Sequence, residues 1–430
     1  MSERERAGLC SRGLADIFDP ALRSSIGELI DDVRRRGDAA VSEALKRFDG
    51  IEVAPDRLRV DADELTGAQV EPALELAIDD AIAHLRAFNE HQLAQLGDWN
   101  VELEPGLRVG EKLTPIESVG LFVPSGKASY PSVAYQLGVP ATVAGVGRIV
   151  VVVPPAPGGD GSIDPAVLVV CRKLGITDVF RANGPAGIAA LGFGTETIPK
   201  VRKIVGPGSP AVTIAQVEMQ RHGVATMMLL GPTESLVIAD ASADADRLAA
   251  DLLIEAEHGT DTSVVLVTTT TAVADAVDRA LGVQLVDLPD TRASAARAAL
   301  GSNGGCVLVD DLEEAIDVAN RYAPEHLQVA VGDEVESQVV DALLNAGEIL
   351  VGQHTPFSAA NFAIGCPASL PTSGFAHVSS GITAATFLKR TAVARADESA
   401  LARMAPTITA LADHEGFPAH AAAVRRRQLG

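Results

Sequence analysis

The segment Tyr322-Ala323-Pro324-Glu325-His326-Leu327 sets a carboxylic acid beside an imidazole, just after a proline. Their unperturbed pKa values are roughly 4.3 and 6.5, so the pair can give and take protons near neutrality. Neighbouring side chains on an extended segment diverge, which would let them address two sides of one substrate. Two further clusters have similar chemistry, Glu255-Ala256-Glu257-His258 and Glu415 through His420. Glu255 and His258 stand three apart, on one face of a helix and within reach of one ion. The plainer alternative is a solvated acidic turn. Taken alone, His420, His354 and His377 read as surface or core histidines.

Lys127 ends a buried strand in the loop Pro124-Ser-Gly-Lys-Ala-Ser129. It is either a snorkelling surface lysine or a counter-charge for an anionic substrate group. The loop is no P-loop: five residues separate Gly120 from Gly126, and Ala128 stands where a hydroxyl would hold magnesium. Gly206-Pro207-Gly208 follows the strand-like Val201–Val205 but lacks the third glycine of a dinucleotide fingerprint.

The chain that must position these residues has 430 residues, 47% hydrophobic, and a formal charge of −22 from 35 basic and 57 acidic side chains. That balance excludes nucleic acid or an anionic membrane as the main partner. Cys10, Cys171, Cys306 and Cys366 are widely spaced, as expected of free thiols in a reducing compartment, with Cys366 in a Gly/Pro-rich loop that could expose it. Met1 through Arg6 lead into no apolar run, and no stretch of about 18 apolar residues is free of charges and breakers. A soluble, cytoplasmic chain is expected.

Helices are expected over residues 20–50 and 70–98, from apolar spacing through Ile26, Ile30, Val33 and through Ile78, Ile82, Leu85. From residue 115, short apolar strands alternate with helical segments. The strands are read at 119–123, 148–153, 178–180, 235–239, 263–267, 305–309, 328–330 and 348–351. This pattern indicates parallel sheets covered on both faces, which bind ligands at strand ends. The expected fold is α/β, with two Rossmann-like units at 115–230 and 231–382. An N-terminal helical segment, 1–114, is expected to pack on the second unit, and a C-terminal helical tail spans 383–430. Arg425 through Arg427 read as a solvated helix end favoured by the macrodipole.

Further landmarks are Arg36-Gly-Asp38, Leu137-Gly-Val-Pro-Ala141 within Pro115 through Val153, Gly231-Pro-Thr-Glu234, Leu370-Pro-Thr372 and Ser379-Ser-Gly381. With the clusters above, their order makes the chain resemble the histidinol dehydrogenase family over nearly its whole length. The resemblance implies zinc-dependent, NAD-linked oxidation of a primary alcohol, through an aldehyde to the acid. It also implies an intertwined homodimer whose C-terminal tails complete the partner's sites. Glu325 and His326 match the family's catalytic pair. Glu255, His258, Asn361 and the partner subunit's His420 stand at its zinc positions, and Thr233 and Glu415 fit its substrate contacts.

Other positions depart from the family pattern. Glu255 stands for the usual Gln and Asn361 for Asp, so the ligand set keeps one formal negative charge and donors that zinc accepts. Phe357 replaces a Glu, Ala368 a His, and Lys127 a small hydroxyl residue. Phe122, Ala186 and Ser209 replace the Tyr, Gln and Asn of the cofactor site, leaving NAD or NADP open. These changes favour a neutral or anionic alcohol over cationic histidinol. The leading expectation is a zinc- and NAD-dependent dehydrogenase whose substrate is not histidinol. L-histidinol dehydrogenase proper and a non-catalytic ligand-binding relative are the alternatives.

Overall fold

The computed structural model describes residues 19–125, 129–156, 159–227 and 231–428. Helix α1 (Pro20–Arg36) opens on Asp19, whose carboxylate accepts from the Leu22 N–H, and closes on three arginines that complement its dipole. It ends at Gly37, where φ is +55°, so the single helix expected over 20–50 is broken there. Helix α2 (Pro72–Gln95) follows.

Strands β1 (Trp99–Glu104) and β2 (Leu107–Pro115) form an antiparallel pair. The first parallel sheet holds β3 (Ser118–Phe122), β4 (Arg148–Val153), β5 (Asp178–Arg181), β6 (Lys203–Val205) and β7 (Ala225–Thr226), in the order β5-β4-β3-β6-β7. The second holds β8 (Glu234–Ala239), β9 (Ser263–Thr268), β10 (Gly305–Leu308), β11 (His326–Ala330) and β12 (Glu348–Val351), in the order β10-β9-β8-β11-β12. The two orders are equivalent, and both are doubly wound. The continuous Val/Ile/Leu runs of β3, β4, β8 and β9 are what strands covered on both faces require. The α/β class with two Rossmann-like units is therefore what the chain adopts.

Two segments differ from expectation. The N-terminal helices pack on the first unit, not the second. Ile26, Ile30 and Val33 of α1 join the core on one face of the first sheet with Phe122, Val150 and Ile188. Ile78, Ile82 and Leu85 of α2 join the core on its other face with Leu121, Val151 and Leu137. The apolar faces of these helices close a sheet that would otherwise expose Val and Leu to water. The C-terminal tail is not wholly helical either. It begins with β13 (Leu388–Ala396), which pairs antiparallel with β2 over nine residues. Two helices follow, Glu398–His414 and Pro418–Arg427.

Candidate active site

The cleft between the two units receives different ends of the two sheets. The first unit offers the carboxyl ends of its strands. Pro124 follows β3, Tyr130, Val133 and Gln136 start the helix Pro131–Val143, and Pro207 follows β6. The second offers the amino ends, with Thr233 before β8 and His326 opening β11. Glu255 and His258 end the helix after β8, and Asn361 and Ala368 follow β12. The cleft is half open to solvent and its cavity is about 230 Å³. Bonds from side chains to backbone across the junction fix the far wall: the Tyr135 hydroxyl donates to the Phe362 carbonyl at 3.0 Å, and Gln136 Oε1 accepts from the Ala368 N–H at 3.1 Å.

Glu325 and His326 are buried here. They converge instead of diverging. Ala323 in the left-handed region (φ +50°) ends the preceding helix, and a bend at Glu325 brings its Oε1 to 3.7 Å from His326 Nε2. The other Glu325 oxygen accepts from the Glu234 N–H at 3.1 Å. His326 Nδ1 lies 2.5 Å from Glu348 Oε1, and the ring of Phe357 packs edge-on against the imidazole at 5.8 Å. Burial pushes the Glu325 carboxyl up to about 8, helped by the nearby carboxylates of Glu255 and Glu234. Burial opposes a charged His326, but Glu255, Glu325 and Glu348 outweigh it and raise the imidazole to about 10.

The donor set fits a zinc ion. Glu255 is 1% exposed; its Oε1 accepts from Asn361 Nδ2 at 2.9 Å, and its Oε2 makes no hydrogen bond. That bond leaves the Asn361 amide oxygen free to ligate. His258 Nδ1 donates to the Ile254 carbonyl at 3.0 Å, which leaves Nε2 free for a metal. These residues sit at the negative end of the helix Ala245–Ala256, which favours a cation. Among the described residues no three His, Cys, Asp or Glu side chains converge as a metal site, because the third donor here is an amide and the fourth lies elsewhere. His420 and Glu415 are exposed on the tail helices and do not line the cleft.

The remaining positions divide. Thr233 and Ala368 line the cleft, whereas Phe357 is fully buried in the core behind it. Lys127 lies outside the described residues. Phe122 and Ala186 are 1% exposed in the first unit's core, so their side chains do not face the cleft. Ser209 is exposed at the start of the helix Pro210–Gln220 and makes no capping bond. Before it, Gly206 passes so close to β3 that a Cβ there would meet the Phe122 carbonyl oxygen. That contact is strand packing; the uncapped N–H groups at the helix start suit an anionic group such as a pyrophosphate. Cys366 is half-buried, and burial raises its thiol, which disfavours a reactive thiolate.

Glu348 escaped the sequence reading, and Glu234 entered it only as the end of the Gly231–Glu234 landmark. Each is a charged residue opening an otherwise apolar strand, and a carboxylate at the first position of a buried parallel strand is the signal that marks them.

Two doubly wound sheets enclosing a cleft with a buried acid–imidazole pair define an α/β protein equipped for proton transfer. The histidinol dehydrogenase family model matches residues 16–428. A histidinol dehydrogenase of Synechocystis is 41% identical over 93% of this chain and 92% of its own, and one of Methanosarcina barkeri 39% over 99% and 96%. The crystal structure of a histidinol dehydrogenase from Elizabethkingia anophelis superposes with a TM-score of 0.93 at 33% identity, covering 99% of this chain and 96% of that one. The chain belongs to the histidinol dehydrogenase family. It is an NAD-dependent dehydrogenase acting on a CH–OH group, which sets aside the non-catalytic reading.

Proposed function

We propose that this chain oxidises histidinol in two NAD-linked steps, through the aldehyde to histidine. The observation that carries this reading is the acidity of the cleft. Glu255 and Glu325 line it, with Glu234 and Glu348 buried just behind, and no Lys or Arg stands among its described lining residues. Such a site favours a cationic amino alcohol. The names of relatives near 40% identity support the same substrate. This reverses the expectation drawn from Phe357, Ala368 and Lys127, because the buried carboxylates of Glu234 and Glu348 flank the cleft where Phe357 removes one.

Glu255, His258 and Asn361 would hold zinc, with the partner subunit's His420 as fourth donor. When bound, zinc supplies a Lewis acid for the alcohol oxygen and a positive charge that opposes the raised pKa values of the cluster. NAD supplies the hydride acceptor. His326 takes the alcohol proton at Nε2. In the second step Glu325 takes a proton from the water that adds to the carbonyl carbon. Exposed apolar side chains on the antiparallel sheet and tail, among them Trp99, Leu103, Val393 and Phe417, support a homodimer.

A second reading, an alcohol other than histidinol, is favoured by Phe357 and Ala368, and by Lys127, which lies outside the described residues. Steady-state NADH production with histidinol and with hydroxy-sulfonates, before and after chelation, decides between them. Histidinol turnover abolished by chelator and restored by zinc is the expected result. Preference for the sulfonates would select the second reading, and full activity without metal would remove the zinc role.

A further inference from the structure

We propose that Glu348 is a positioning residue that fixes the His326 tautomer, so that Nδ1 carries the proton and Nε2 presents its lone pair to the cleft. This inference rests on the dehydrogenase reading above, and concerns a residue outside the matched catalytic pair.

The geometry begins with register. His326 and Glu348 open neighbouring parallel strands and are direct partners in the ladder. Directly paired residues of parallel strands project to the same face, about 4.8 Å apart. A glutamate opposite a histidine there has its carboxylate beside the ring. The start of β12 is itself pinned. The Gly347 N–H donates to the Pro324 carbonyl at 2.9 Å and the Glu348 N–H to the Glu325 carbonyl at 3.1 Å. A Cβ at Gly347 would lie 2.4 Å from the Glu325 carbonyl oxygen, so only glycine lets β12 approach this closely.

The resulting contact is short and dry. Glu348 Oε1 lies 2.5 Å from His326 Nδ1, with the Glu348 side chain 5% and the His326 side chain 3% exposed. An ionised carboxylate only accepts, so Nδ1 must be the donor. That leaves Nε2, on the side of Glu325, as the nitrogen able to take a proton. Phe357 packs edge-on against the ring and limits its rotation. A buried carboxylate that orients a histidine and selects its tautomer is the same physical device that serves catalytic triads and metal-bound imidazoles.

The test uses zinc-loaded full-length protein with histidinol and NAD, alongside selective ¹⁵N-histidine NMR of the wild type. Glu348→Ala should lower kcat about 10–100-fold while both KM values stay within about twofold. Glu348→Gln should recover part of that loss, because the amide oxygen still accepts from Nδ1. In zinc-loaded wild type His326 Nδ1 should show the protonated, pyrrole-type shift and Nε2 the pyridine-type shift. A kcat for Glu348→Ala within about twofold of wild type overturns the proposal, as does a pyridine-type Nδ1 in wild type. If the alanine variant fails to fold, the wild-type tautomer still decides. If wild type does not oxidise histidinol, the substrate reading fails, and the tautomer remains a separate result.

Discussion

His326 is confined by Glu348 at Nδ1, by Glu325 near Nε2 and by the face-covering Phe357. His326→Asn should therefore lower kcat about 10²–10⁴-fold with little change in KM, measured by steady-state NADH formation. Glu325→Gln should act later. It should slow the second oxidation, so that the NADH yield per histidinol falls from two toward one in a single-turnover assay. The raised pKa values also predict a stability effect. The folded chain holds these protons more tightly than the unfolded chain, so unfolding free energy falls as pH rises. The Glu325 contribution is complete below about pH 4.3 and is lost as pH rises through about 8; that of His326 is complete below about 6.5 and is lost through about 10. Metal-free wild type should thus lose more Tm between pH 7 and 10 than the Glu325→Gln/His326→Asn double variant, and equal losses would contradict the assigned shifts. Residue types at this site were legible in sequence, because Glu-His and Glu-x-x-His are local patterns. Glu348 was not, because its partner is 22 positions away and meets it only through strand register.

The elements that carry the site are tied to one another behind it. Gln328 on β11 donates to Asp251 at 2.7 Å, and Asp251 lies one turn before Glu255 on the helix Ala245–Ala256. Both side chains are buried. Asp251→Ala should cost about 1–3 kcal/mol, since it leaves the Gln328 amide only its long 3.4 Å bond to the Thr355 carbonyl, and should weaken zinc binding by freeing the ligand helix. Urea unfolding and metal titration check the two effects. The alternating strands and helices of both units were readable from apolar runs and turn residues. The antiparallel sheet was not. The segment 388–396 is rich in Ala and Arg, which favour a helix, and its partner β2 lies some 280 residues earlier. Long-range pairing overrides local propensity there. The docking of the N-terminal helices was equally hidden, because their apolar faces would suit either sheet.

For the whole molecule, the decisive geometry is the joining of carboxyl strand ends from one sheet to amino strand ends from the other. The carboxyl strand ends of the first unit thereby face the acid–imidazole pair of the second. The exposed positions of His420 and Glu415 leave the cleft with three of its four proposed zinc donors within one chain. In an intertwined dimer, mixing His326→Asn and His420→Asn chains after subunit exchange should restore about a quarter of wild-type activity, because half the dimers are mixed and each carries one intact site. No recovery from exchanged chains would place His420 outside the partner's site. The central claim is that this chain takes histidinol to histidine with NAD. Its most direct test is product stoichiometry in the zinc-loaded protein: two NADH formed for each histidine released from L-histidinol. No NADH and no histidine from protein that binds both zinc and NAD would contradict it.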